Sequence, residues 1–277
     1  MGSLATDVND GEKEIHVLVT GFGPFGENRT NPSYLIASSL PSIYKQPDLP
    51  PIKIDPYPTP ITVAYSHIRA LIPKLLFSND DSKIASPDAN AIDSEPDYLS
   101  VISKPAKEMP NYDIVLNVGM APGRKFYTLE TCAHRDGYNR LDVDGKTLQD
   151  DTYWKDKYGA PEILHTGFDT EDVWRTWKSG LMSEDIRPSN NAGHYICDFT
   201  YYASMLEYWR RDPHQMRPCI FLHVPGGYSE EDIVKGRAVT LGLIAACVGS
   251  EIKRGTEKKG MGSSIPVASD FGDEGLS

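Results

Sequence analysis

Three short apolar runs, far apart in the chain and each closed by glycine or proline, limit what this sequence can fold into. Residues 15–20 read Ile-His-Val-Leu-Val-Thr and stop at the Gly/Pro-punctuated segment 21–26. Residues 113–118 read Asp-Ile-Val-Leu-Asn-Val and stop at Gly119, and residues 219–224 read Cys-Ile-Phe-Leu-His-Val and stop at Pro225-Gly226-Gly227. Runs of this length with little alternation fit strands covered on both faces. Helical spacing fills the intervals. Val63, Ile68, Leu71, Ile72 and Leu75 mark one helix over 62–76, and residues 171–182, 197–210 and 230–248 mark three more, the 197–210 segment reading as amphipathic. Asn31 or Ser33 is placed to cap a further helix over 34–40. Strands alternating with helices predict an α/β layered domain with a mostly parallel central sheet. Ligands of such sheets sit beyond the carboxyl ends of the strands. Loops 21–26, 119–130 and 223–227 therefore become the candidate functional loops.

The rest of the chain is read as one domain over 15–250 with irregular additions. Residues 1–14 are polar and acidic and are expected to be flexible; residues 78–98, rich in Ser, Asp, Asn and Pro, read as a surface insertion. Residues 120–170 read as loops, and residues 251–277 as a disordered tail. The 277 residues are 39% apolar, enough for a sizeable core, and carry a formal charge of −11. That acidity disfavours a nucleic-acid or anionic-membrane partner. No signal peptide and no run near the ~20 apolar residues of a membrane span is read from the sequence. Four cysteines without a C-x-x-C pair read as reduced thiols, so a cytoplasmic location is expected.

A cysteine nucleophile needs a base to deprotonate it and a group to orient that base. Cys197 follows the Ala192-Gly193 turn at the start of a helix, where free amides and the helix dipole favour a thiolate and can hold an oxyanion. The competing reading is a small core residue. Cys132, beside Glu130 and His134, and Cys219 and Cys247 read as core. Among seven histidines, His223 ends an apolar strand where a loop can present its ring, with a satisfied strand-end histidine as the alternative. No H-x-x-x-H or H-E-x-x-H pattern occurs, and no metal or other cofactor is expected. The segment Gly21-Phe22-Gly23-Pro24-Phe25-Gly26 matches G-x-G-x-x-G only superficially, since Pro24 lacks an N–H and the phenylalanines add bulk. An apolar ring pocket suits them better.

Three separated segments together resemble the pyroglutamyl-peptidase type I (pyrrolidone carboxyl peptidase) family, and with their spacing cover most of residues 15–248. They are residues 17–26 with Asn31-Pro32-Ser33; residues 119–130 with Cys132-Ala133-His134 and Gly137-Tyr138; and residues 192–202 with Phe221-Leu222-His223-Val224-Pro225. The third segment and Glu-Thr-Cys-Ala-His at 130–134 look closer to eukaryotic members than to bacterial ones. The resemblance implies a three-layer α/β/α sandwich of the phosphorylase/hydrolase-like kind, acting as a monomer on small peptides with an N-terminal pyroglutamate. It implies Cys197 as nucleophile, His223 as base and Glu130 as the orienting carboxylate. Arg140 matches an arginine near the oxyanion, and Phe22, Phe25, Thr62, Tyr195 and Ile196 match walls of the lactam pocket. Met120 replaces a glutamine of bacterial members, while Tyr127, Thr131 and His134 also depart from their pattern. The insertion, the 142–170 stretch and the tail lie outside the family core. A non-catalytic binder on the same fold and an amidohydrolase for another small acyl group are the alternatives.

Overall fold

The computed structural model describes residues 14–77 and 112–262, with side chains to Thr256. The insertion at 78–98, residues 1–13 and residues 263–277 lie outside the described residues. The elements run β1 (Ile15–Gly21), α1 (Pro32–Ser38), β2 (Ile43–Tyr44), β3 (Ile52–Pro56), α2 (Tyr65–Phe77), β4 (Ile114–Met120), β5 (Tyr127–Glu130), β6 (Cys132–His134) and α3 (Tyr153–Tyr158). They continue through β7 (Ile163–His165), α4 (Thr170–Gly180), β8 (Ile186–Ser189), α5 (Ile196–Trp209), β9 (Cys219–Val224) and α6 (Glu230–Gly262). One seven-stranded sheet has the order β2-β3-β1-β4-β9-β5-β8, and β6 pairs with β7 in a small antiparallel sheet. In the large sheet β3-β1-β4-β9 and β5-β8 are parallel; only the β2-β3 and β5-β9 pairings are antiparallel. The expected α/β/α sandwich with a mostly parallel central sheet is therefore the observed architecture.

The three apolar runs form β1, β4 and β9, adjacent at the centre of the sheet and buried on both faces. Their side chains alternate between two cores. Leu18, Val115, Cys219 and Phe221 join the core under α2 and α5. Val17, Val19, Leu116, Ile220 and Leu222 join the one under α1, α4 and α6. This period-two alternation sends the odd-numbered residues of β9, and so His223, toward the face that carries α5. Asn31 caps α1, its side chain accepting from the Ser33 N–H, and Pro32 takes the first helical turn, where no N–H is needed.

Four expectations differ from the fold. The stretch 120–170 contains β5, β6, α3 and β7 instead of loops alone; strands of three or four residues leave too little periodicity to read. Helix α5 is not amphipathic: Phe199 to Tyr208 are buried all round, because the sheet covers one side while α2 and β6 cover the other. Helix α6 runs past the expected end at 248 to Gly262, and Lys253 reaches Asp172 of α4 at 2.6 Å. Its segment Glu230–Thr256 is long and apolar enough to cross a membrane by length and composition, against expectation. Val239, Leu243, Ile244 and Cys247 turn it onto the sheet as a core helix.

Candidate active site

The site forms where the central strands end. A cavity of about 200 Å³ is lined by residues of all three strand-end loops, among them Phe22, Phe25, Met120, Pro122, Arg124 and His223. The start of α5 supplies Tyr195, Ile196 and Cys197, and Arg140 and Val63 complete the lining used below.

The phenylalanine loop is pinned from behind. The Phe22 N–H donates to Ser33 Oγ at 3.0 Å and the Gly23 N–H to the Ile61 carbonyl at 2.9 Å. Asn31 Nδ2 donates to the Gly23 carbonyl at 2.9 Å. These amides are spent on the protein, so the loop offers an apolar wall and no phosphate cradle. Phe22 is 2% exposed and packs 6.3 Å from the Phe221 ring, whereas Phe25 is half-buried at the cavity and lies 6.4 Å from Tyr195.

Helix α5 is set over the sheet by a buried polar chain. Thr20 Oγ1 donates to Asn117 Oδ1 at 2.8 Å, Asn117 Nδ2 to Ser204 Oγ at 3.3 Å, and Ser204 Oγ to the Thr200 carbonyl at 2.9 Å. This fixes Cys197 above Gly119. A Cβ on Gly119 would fall 2.7 Å from Phe221 Cζ and 2.9 Å from Cys197 Sγ, so only glycine leaves room for both. Gly119 is the register partner of His223 on β9, and the thiol and the imidazole line the same cavity.

Cys197 is the second residue of α5. The first intrahelical bond is Phe199 N–H to the Tyr195 carbonyl at 2.9 Å. Helix geometry leaves the preceding amides, including that of Cys197, without an i−4 acceptor. Tyr195 places no side-chain cap on them, because its hydroxyl donates to the Leu141 carbonyl at 3.0 Å. Burial, reinforced by the charges of Glu130 and Asp198, pushes the Cys197 thiol up to about 12 against the pull of Arg124 and Arg140. Desolvation thus works against the thiolate that the start of the helix favours.

Glu130 lies beneath the imidazole, fully buried, with Oε1 2.8 Å from His223 Nδ1. The antiparallel β5-β9 register sets Glu130 opposite Phe221 and Thr128 opposite His223, on the face alternate to Leu129. Arg124 Nη1 reaches the same oxygen at 2.7 Å, and Nη2 donates to the Asn191 carbonyl at 3.1 Å. Burial opposes ionisation of Glu130, but the hydrogen bond and charge of His223, with Ser189 and Arg124, prevail and hold its carboxyl below the ordinary range.

The structure brings together Cys197, His223, Phe22, Phe25, Met120, Tyr195, Ile196 and Arg140 around one cavity, with Glu130 behind His223. Arg140 is exposed at the rim, its guanidinium 4.3 Å above the Tyr195 ring. Thr62 is a correction: it is exposed and outside the lining, and Val63 takes the wall instead. Phe22 bridges to Ile61 in parallel, and alternation from that buried residue turns Thr62 outward and Val63 inward. Arg124 was not singled out from the sequence, since its partner Glu130 lies across a turn and nothing local announces the pair. Cys132 is buried, its thiol directed to the Asn190 carbonyl, and Cys219 and Cys247 are buried core residues. His134, His194 and Asp198 also come together beside Cys197.

The family model described as pyroglutamyl peptidase matches residues 97–244. Human pyroglutamyl-peptidase 1 is 26% identical over 209 residues, covering 76% of this chain and 78% of that protein. The pyrrolidone-carboxylate peptidase of Pyrococcus furiosus is 26% identical over 221 residues, covering 79% and 84%. Among solved structures, pyrrolidone carboxyl peptidase from Pyrococcus furiosus superposes with a TM-score of 0.57 at 22% identity, covering 87% of this chain and 99% of that one. That from Thermus thermophilus superposes with a TM-score of 0.53 at 23% identity, covering 84% and 99%. At this identity the superpositions carry the fold.

Proposed function

The chain belongs to the pyroglutamyl peptidase family, the cysteine peptidases that its matched model describes, and from that premise we propose that it removes an N-terminal pyroglutamate from small peptides with Cys197, His223 and Glu130 as its catalytic triad. The carrying observation is the 2.8 Å contact between Glu130 and His223 behind a cavity that Cys197 and two phenylalanines line. Pyroglutamate has no free amine. Its site needs an apolar slot for the lactam ring and no carboxylate to meet an ammonium. Phe25 and Phe22 supply the slot, and Met120 also lines it, at the position where the family resemblance implies a glutamine in bacterial members. Lactam recognition then rests on backbone groups.

His223 Nδ1–H donates to Glu130, leaving Nε2 to accept the thiol proton. Because burial raises the thiol, His223 takes its proton as the bond to carbon forms. Sulfur attacks the pyroglutamyl carbonyl, and the uncapped amides at the start of α5 receive the oxyanion, with Arg140 at the rim adding positive charge. His223 returns the proton to the leaving amine, and water, deprotonated by His223, cleaves the thioester. His223, Ser189 and Arg124 together hold the Glu130 carboxyl below its ordinary range. The four cysteines are free thiols, three of them buried; this supports a reducing, cytoplasmic setting.

The test is release of a fluorophore from a pyroglutamyl amide under reducing conditions, with Cys197→Ala as the comparison. Turnover by the parent alone supports the reading; turnover by neither leaves the fold as a binder, and equal loss in a folded Cys132→Ala variant moves the nucleophile.

A further inference from the structure

Next to the nucleophile in the chain, three metal-ligating side chains meet that the reaction above does not use. His134 ends β6, His194 lies in the loop before α5, and Asp198 is in the first turn of that helix. We propose that His134, His194 and Asp198 form a binding site for a divalent transition-metal ion of the zinc class, one that clamps the loop before Cys197 onto β6.

The donors are spaced for such an ion. Zinc holds nitrogen and oxygen at about 2.0–2.2 Å in a tetrahedron, which sets its ligand atoms roughly 3.3 Å apart. His134 Nδ1 is 3.2 Å from Asp198 Oδ2, and His194 Nδ1 is 3.7 Å from the same oxygen. All three donor atoms lie within 4.8 Å of one another. The Asp136 carbonyl oxygen lies 3.3 Å from His194 Nδ1, at the spacing of a fourth donor.

The surroundings hold the donors in place while leaving an entry. Asp198 is fully buried, and its other oxygen accepts from the His134 N–H at 3.1 Å, which orients the carboxylate as an outer partner does in metal sites. The histidine side chains are 19% and 44% exposed, so an ion reaches the site from solvent. The backbone is bent to bring His194 there: Gly193 has φ +99° and His194 itself +45°. Left-handed backbone at a non-glycine residue costs of order 1 kcal/mol or more and persists where the surroundings hold it. Gly137 completes the fit, since a Cβ on it would lie 3.0 Å from His194 Nδ1. Two imidazoles with one carboxylate favour zinc, nickel, copper or cobalt over magnesium or calcium, which take oxygen ligands. Gly193, Tyr195, Ile196 and Cys197 line the cavity, with His194 inside that run and Asp198 next after it, so an ion on those two stiffens the wall that carries the nucleophile.

The experiment uses full-length Cys197→Ala, so that the active thiol cannot supply a ligand, after chelator treatment and under reducing conditions. Co2+ is titrated by visible absorption and Zn2+ by calorimetry, with His194→Gln and His134→Gln made in the same background and each shown folded by circular dichroism. The expected result is one ion per chain with the intense spectrum of tetrahedral cobalt and no competition from Mg2+. Affinity falls at least about tenfold in His194→Gln, the loss that even an outer partner can cause, and Zn2+ raises Tm in the parent background more than in this variant. Absence of binding, or unchanged affinity in both folded histidine variants, overturns the proposal and leaves a histidine–carboxylate hydrogen-bond network.

Discussion

Two fully buried carboxylates flank Cys197, Glu130 on the sheet side and Asp198 on the helix side, and they are driven in opposite directions. The carboxyl of Glu130 is held below its ordinary range, while burial raises that of Asp198 against the pull of His134 and His194. The difference lies in their partners. Glu130 has a permanent cation, Arg124 at 2.7 Å, besides His223. Asp198 has the His134 N–H and two imidazoles, whose charge is conditional. A buried carboxylate stays ionised when a charge that cannot leave stands beside it. The sheet side is thereby suited to orient a base, and the helix side to accept a cation from outside.

The widest break in this comparison is at the residue between them. Cys197→Ala is expected to lower turnover of a pyroglutamyl amide by about 10^4-fold or more with the fold intact by circular dichroism. Glu130→Gln should follow at roughly 10^3–10^4-fold in kcat with a smaller change in KM, because it leaves His223 in the wrong tautomer without touching substrate; steady-state kinetics separate the two parameters.

Arg124→Met tests the permanent cation directly. Removing one partner of a buried pair is expected to cost about 3 kcal/mol in urea unfolding at neutral pH. The sign with pH follows from the depressed carboxyl of Glu130. Its contribution is present above the unfolded value of about 4.3 and is lost as pH falls through the lower folded value. The gap between parent and variant should therefore close on acidification, and a gap that stays constant would mean that Arg124 acts through packing alone.

Phe25→Ala should raise KM about tenfold with kcat nearly kept, the scale of lost apolar contact in a specificity pocket. Phe22→Ala, at a fully packed position, should instead appear as lost stability. The smallest effect is expected at Asp198→Asn in chelator-treated protein. The amide oxygen can still accept from the His134 N–H, so stability should stay within about 1 kcal/mol of the parent. A loss as large as that of Arg124→Met would erase the contrast between the two carboxylates.

These contrasts were unevenly legible in the sequence. β1, β4 and β9 could be read because a strand buried on both faces must be apolar throughout, and their closing glycines and prolines located the loops that line the cavity. Cys197 and His223 stood out at a helix start and a strand end, and the family resemblance joined them to Glu130. Thr62 was misplaced by one residue, since a one-residue step in extended chain reverses the side chain and no local signal gives the phase of a single bridge. Helix α5 read as amphipathic because its tyrosines and hydroxyls look polar, whereas burial on both sides turns them into internal hydrogen-bond donors, as when Tyr201 donates to the Glu130 carbonyl at 3.1 Å.

By itself, the amino-acid sequence determined the layered α/β domain and the end of the sheet where the cavity opens, because apolar periodicity and glycine punctuation are local properties of the chain; Cys197 and His223 were only candidates from position, and the family resemblance singled them out. Only the tertiary structure decided the burial that raises the Cys197 thiol, the pairing of Arg124 with Glu130 and the meeting of His134 with His194 and Asp198. Each of those depends on desolvation and on distances between segments brought together by folding. Such quantities are properties of the packed molecule and have no counterpart in residue spacing.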